Sequence, residues 1–419
     1  MNVILLSSIS LLVHTGFGIA FPIYPKLMEN FSKGATELGI LIATFGFTYV
    51  IFSPLFGSWA DKYGKKKIIV IGLIGFAFSN LLYLIAIYFA AFELLFVARA
   101  IEGAFASAVF PASIAMVSDI VPETEIAKNI GIVTAGNGIG MVIGPIVGGY
   151  LFDISIEFPF YISAFLAFLT IFWTVSTLHE SEVHMTRTHK SDSSNKKYKV
   201  GGALRETLKV LPDPKFIFFI FILVDMSFLI SWMLVEPGIS FYIYNELILT
   251  PTDFGLFIAF YSFFASIGGG LLGGLSDKFG RRPIIIIGLL SNALFYLMMM
   301  SATNLTNILL ASIVGGLSLG FMGPAMKALL SNASPKEHRT TIFGIASGLT
   351  FIGSIFGPLL GGYMFDAYSI TILFSLAITI SLFGALLGLF LIFEPSKDIS
   401  ESVVDPPFIE IVNVRNANF

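Results

Sequence analysis

Long apolar runs alternate with short polar ones along almost the whole 419-residue chain. A helix needs about 20 apolar residues to cross the hydrocarbon core of a bilayer. Runs of that length predict spans at 3–25, 37–60, 67–88, 93–117, 128–151 and 157–178. They resume at 215–243, 253–275, 283–301, 307–331, 341–365 and 369–393. Between the sixth and seventh lies a polar, basic stretch, 179–214, ending in Pro212 and Pro214, with a short amphipathic helix expected near 202–210. An acidic, proline-containing tail, 395–419, follows the twelfth. The first run starts at MNVILLSSISLLVH without a basic n-region or an A-x-A exit, so it reads as a span and not a cleaved signal. The pattern predicts an all-α membrane protein with twelve transmembrane helices.

Two signatures recur in order. GSWADKYGKKK at 57–67 returns 216 positions later as GGLSDKFGRRP at 273–283. GMVIGPIVGGYLFD at 140–153 returns 213 positions later as GSIFGPLLGGYMFD at 353–366. Such an offset means that about half the chain is duplicated, and a parallel repeat of multi-helix halves is a transporter architecture. The expected organisation is two pseudo-symmetric six-helix bundles, 1–178 and 215–394, joined by the linker 179–214 and followed by the tail 395–419.

Composition agrees: 56% of residues are hydrophobic and 12% charged, where a soluble domain carries about 25% charged residues. With no cysteine, disulfides and thiolate metal sites are excluded. Charge distribution fixes an orientation. Of the 24 Lys and Arg, Lys26 and Lys33 fall on one face, Arg99 lies inside a span, and the rest collect on the other face. By the positive-inside rule that basic face, with the linker and both termini, is expected in the cytoplasm. A plasma (inner) membrane fits the short outer loops.

The first signature links spans 2 and 3, and again 8 and 9. Gly57 and Gly273 suit close helix approach, and Gly64 and Gly280 a tight reversal. Asp61 and Asp277 sit where a helix C-terminus disfavours an anion. Each therefore needs a cationic partner, such as Lys62, Lys65, Lys278 or Arg281, or another helix's N-terminus. In the second signature Gly140, Gly144 and Gly148 share one helix face, beside Gly149, and Pro145 removes a backbone hydrogen bond.

These motifs resemble those of major facilitator superfamily transporters over about residues 1–394, and among them the twelve-helix drug:proton antiporters. Gly57, Asp61, Lys62, Gly64, Lys65 and Lys66 match that family's loop 2–3 signature. Gly140, Gly144, Pro145, Gly148 and Gly149 match its helix-5 antiport signature. LLFVARAIEGAFASAVFPASIAMVSDIVP resembles its helix 4, with Arg99 and Gly103 in place, and FPIYP resembles the end of its helix 1. The stretch MLVEPGISFY around Glu236 resembles helix 7 of the vesicular amine transporters, which exchange protons for cationic amines. The resemblance implies a rocker-switch exporter driven by protons. One departure stands out: some members carry an acid in helix 1, where this chain offers only His14.

An ionisable group at mid-bilayer costs about 2.5–3.5 kcal/mol on insertion scales, so it is paired, protonated or facing a watery cavity. Arg99 and Glu102, three apart, either form a structural pair orienting helix 4 or tune a proton-carrying carboxylate. Asp225 is expected to face the cavity. Glu236 either does the same or snorkels to the outer interface, and His14 either lines the cavity or bonds a neighbouring helix. Aromatics such as Tyr24, Tyr49, Phe228, Trp232 and Tyr242 serve packing, with a subset suited to holding a cation. His179, His184 and His189 have no standard metal-site spacing. The favoured reading is a monomeric proton-coupled exporter of small lipophilic cations, needing no cofactor beyond the proton gradient. Its partners are the bilayer, its substrate and protons, with nothing that addresses nucleic acid. A sugar or organic-anion carrier would want more buried cations than Arg99. A receptor or scaffold would not need intramembrane charge, and GNGIG at 136–140 lies in a span, not after a strand where a phosphate-binding loop belongs.

Overall fold

The structure is a computed structural model that describes residues 2–122, 125–180, 215–271, 275–334 and 339–391. Among these there are twelve helical spans and no strand: α1 Val3–Asn30, α2 Ala35–Tyr63, α3 Lys65–Tyr88, α4 Phe92–Ile120, α5 Lys128–Ile154, α6 Phe158–Thr177, α7 Phe218–Glu246, α8 Pro251–Gly270, α9 Arg281–Met300, α10 Leu305–Ala333, α11 Ile342–Ala367 and α12 Ile370–Leu389. The expected linker helix and the tail lie outside the described residues.

Two of the spans that run past their expected ends change helix type there. In α1 the Phe21–Ile23 segment tightens into a 3-10 turn and the helix resumes over Tyr24–Asn30. Pro22 and Pro25 stand at first-turn positions, where a missing N–H costs nothing. In α7 a π-turn, Tyr242–Glu246, extends the helix. The tight reversals are made by Gly64 (φ 104°) and Gly280 (φ 90°), conformations that L side chains rarely adopt.

The helices pack in two sets. In the first half α1 packs on α5 and α6, α4 on α2 and α3, and α3 on α6. In the second half α7 packs on α11 and α12, α10 on α8 and α9, and α9 on α12. Adding six to each helix number maps one list onto the other, so the sequence duplication is also a structural one. Phe165, Phe168 and Phe172 on α6 and Phe383, Leu386 and Leu389 on α12 are exposed, as side chains facing lipid must be. The protein is an integral, multi-pass membrane protein.

Among the described residues two extended seams join the halves: α2 with α11, and α5 with α8. Both run down from the end opposite the basic loops, the far end. A Cβ on Gly39 would lie 2.1 Å from the Pro358 carbonyl oxygen, and one on Gly255 2.2 Å from that of Pro145. Half-way along, Tyr49 stacks on Phe351 at 5.0 Å, and Gly138 lies against Ser266. Beyond, toward the basic end, the Cβ positions of Gly57, Gly131, Gly270, Gly344 and Gly348 have no atom within 4 Å. Among the described residues the halves therefore touch at the far end and part at the basic end.

Candidate functional site

Within the first half α4 buries a cluster of charge. Arg99 Nη1 donates to Glu102 Oε2 at 2.8 Å and to the Tyr24 hydroxyl at 2.9 Å. Tyr83 donates to Glu102 Oε2 at 3.0 Å, and Tyr24 at 3.2 Å. The guanidinium also lies over the rings of Tyr24 (4.5 Å) and Phe45 (4.6 Å), drawing α1 and α2 to α4. Arg99 and Glu102 are 3% and 1% exposed, so each charge is satisfied by the protein and not by water. One donor is left over: Arg99 Nε is buried without a partner.

From the other half α7 contributes Glu236, 8% exposed, beside Pro237. Its carboxylate makes no hydrogen bond within the described residues, yet it feels the positive charge of Arg99. It does not snorkel to the far interface. Pro237 has no N–H to continue the ladder, which frees a carbonyl one turn earlier and loosens the backbone at the carboxylate.

Asp225, further along α7 toward the basic end, is half-buried. It accepts a 3.0 Å hydrogen bond from Thr350 on α11 and feels Lys327 of α10, so it is committed within its own half. His14 neither bonds a neighbouring helix nor stands free: its Nδ1 meets the Ser10 carbonyl oxygen of its own helix at 2.8 Å, and its ring stacks on Phe110 at 4.6 Å.

The loop signature departs from expectation. Asp61 is exposed, with no hydrogen bond or ion pair among the described residues, and nothing approaches Gly57. The anions that do meet a cation or a helix N-terminus are Asp119, which pairs with Lys65, and Glu180, which accepts from the Lys65 backbone N–H at 3.0 Å. Lys65 also donates to the Ala115 carbonyl at 3.0 Å, and Arg281 repeats that bond to Ala328 in the second half. Lys62 lies over its neighbour Tyr63, and Lys278 is exposed at the end of a short helix, Leu275–Phe279. Gly273 and the side chain of Asp277 lie outside the described residues, as do His184 and His189.

The second signature turns out to have two faces. Gly144 and Gly148 bring α5 onto the backbone of α1, where a Cβ on Gly148 would lie 2.0 Å from the Ile19 carbonyl oxygen; Gly140 packs beside His14. The Pro145 carbonyl and Gly149 point the other way, into the seam with α8. Tyr83, the seam carbonyls and Asp119 carried no sequence signal of their own. Asp153 and Asp366, which close the repeated signature, were in view and their contacts were not.

Two helix bundles meeting along paired seams, with ionisable groups buried between them, define a polytopic membrane transporter. The chain belongs to the Major Facilitator Superfamily, whose family model matches residues 6–235 and 217–410. It is 30% identical over 369 residues to "Multidrug resistance protein 2" of Bacillus subtilis (strain 168), covering 87% of this chain and 88% of that one. It is 28% identical over 387 residues to "Quinolone resistance protein NorA" of Staphylococcus aureus (strain COL), covering 90% and 93%. Its fold matches that of the nucleoside transporter NupG with a TM-score of 0.74, at 15% sequence identity and covering 94% and 100%.

Proposed function

We propose that this protein exports small lipophilic cations across the plasma membrane in exchange for protons, as a monomer and without a cofactor. The observation that carries the reading is Glu236, a carboxylate buried on α7 within reach of the Arg99 charge of the other half, with no hydrogen bond among the described residues. A buried anion must be neutralised. A proton or a cationic substrate each does so, and the two compete for one charge. Multidrug and quinolone resistance proteins among the relatives support a drug substrate. An organic-anion carrier is disfavoured, because Arg99, the one buried cation among the described residues, is already held by Glu102 and Tyr24.

In this reading the basic end faces the cytoplasm and the conformation is inward-open. The halves 1–178 and 215–394 rock about the substrate, with the linker 179–214 and the tail 395–419 on the cytoplasmic side. A cation entering from the cytoplasm displaces the Glu236 proton. The halves then close at the basic end and open at the far end, where an incoming proton releases the cation. The positive charge of Arg99 reaches Glu236 and attracts its carboxylate once the proton has left. Asp225 is a second candidate on the entry path, and Gly57, Asp61 and the repeated loop are assigned to closing the basic end. Exchanging one proton for one monovalent cation moves no net charge, so the pH gradient drives it, each pH unit supplying about 1.4 kcal/mol, enough for roughly a tenfold cation gradient.

The test is efflux of a cationic dye from proteoliposomes under an imposed pH gradient. The native chain accelerates efflux when the gradient is present, Glu236→Gln abolishes that response, and Asp225→Asn slows it. Gradient-independent efflux by the native chain, or an unimpaired Glu236→Gln variant, contradicts the proposal.

A further inference from the structure

The carboxylates that end the repeated signature, Asp153 and Asp366, both cross between the halves at the far end. Asp366, in the last turn of α11, accepts from the Thr36 backbone N–H at 2.7 Å, the Thr36 hydroxyl at 2.5 Å and the Ala35 N–H at 3.2 Å. Asp153, in the last turn of α5, accepts from the Thr252 hydroxyl at 2.7 Å. Thr36 and Thr252 open α2 and α8, and they stand 216 positions apart as the aspartates stand 213 apart. The two contacts are thus one device, built twice by the duplication.

Each aspartate is badly placed on its own helix. An anion at a helix C-terminus meets the negative end of the dipole, and an anion at another helix's N-terminus meets the positive end. Crossing the seam turns a local conflict into charge-assisted hydrogen bonds. Behind each aspartate the backbones are already in contact. A Cβ on Gly362 would lie 2.2 Å from the Ala35 carbonyl oxygen, and one on Gly149 2.4 Å from that of Pro251. Opening the far end must separate both seams and leave both carboxylates at their own C-termini without these partners.

We propose that Asp153 and Asp366 are paired latch residues that hold the far end shut and bias the transporter toward the basic-end-open state. Asp366 is the stronger of the two, because it satisfies two backbone donors of α2 as well as a hydroxyl. The latch rests on the alternating-access part of the proposed function and is independent of which cation is carried.

The chain contains no cysteine, so spin labels can be placed without altering a native thiol. Glu93→Cys and Thr303→Cys put one label on each half at exposed far-end positions. Double electron–electron resonance on the full-length protein in lipid nanodiscs, without dye, then reads the far-end separation. The labelled native chain gives a dominant short distance and a minor long one. Asp153→Ala with Asp366→Ala raises the long-distance population about fivefold, as expected for losing charge-assisted hydrogen bonds. Thr36→Val, which keeps the backbone donors, raises it less. Two distances with unchanged weights in the double variant overturn the latch and leave alternating access standing. A single distance at every pH and dye concentration overturns alternating access itself.

Discussion

Among the described residues each half of this transporter buries one glutamate, and the two are treated in opposite ways. Glu102 is surrounded by donors: Arg99, Tyr24 and Tyr83 all reach it. Glu236 is 8% exposed and has no hydrogen bond within the described residues. A fully satisfied carboxylate is fixed in charge and place, because removing any partner exposes the others to an apolar interior. An unsatisfied one is available to whatever positive species arrives. On the proposed function, Glu102 belongs to the scaffold and Glu236 to the work.

The sharpest way to break this contrast is to unpair the first-half centre. Removing one member of a buried ion pair costs about 3–5 kcal/mol, so Arg99→Ala is expected to lower the thermal unfolding temperature of the detergent-purified protein steeply. Glu102→Gln keeps its tyrosine donors and should cost less. If either variant melts like the native chain, the centre is not structural. Glu236→Gln should leave the melting temperature unchanged or raise it, since no hydrogen bond is lost and a buried charge is removed. A large drop would show that Glu236 is a scaffold group after all. Within the first-half centre the smallest loss is expected from Tyr83→Phe, which deletes one donor to Glu102 and should cost about 1–2 kcal/mol while dye efflux persists. A loss of efflux without a loss of stability would move Tyr83 into the working site.

Much of this was legible in the sequence. Twelve apolar runs and two repeated signatures dictate the bundles, because hydrocarbon length and duplication leave little choice. Arg99–Glu102 follows from helical spacing, and Glu236 and Asp225 from the cost of charge in a bilayer. The remainder depends on which helices meet. Tyr83 is one more aromatic in an apolar run until α3 packs on α4 and brings its hydroxyl to Glu102. The two faces of the glycine–proline signature look like one seam until α1 and α8 are known to lie on either side of α5. The Asp61 position calls for a partner, yet it stands exposed with none among the described residues. Sequence gives a residue's neighbours along the chain, whereas that contact belongs to a conformation.

The central claim, that one carboxylate holds either a proton or a cation, is tested most directly by counting protons. A lipophilic cationic dye is added to the purified protein in weakly buffered solution, and released protons are followed with a pH indicator alongside dye binding. The account predicts close to one proton released per cation bound by the native chain and by Asp225→Asn, and none by Glu236→Gln. Cation binding by the native chain with no proton release, or unchanged release by Glu236→Gln, would contradict it.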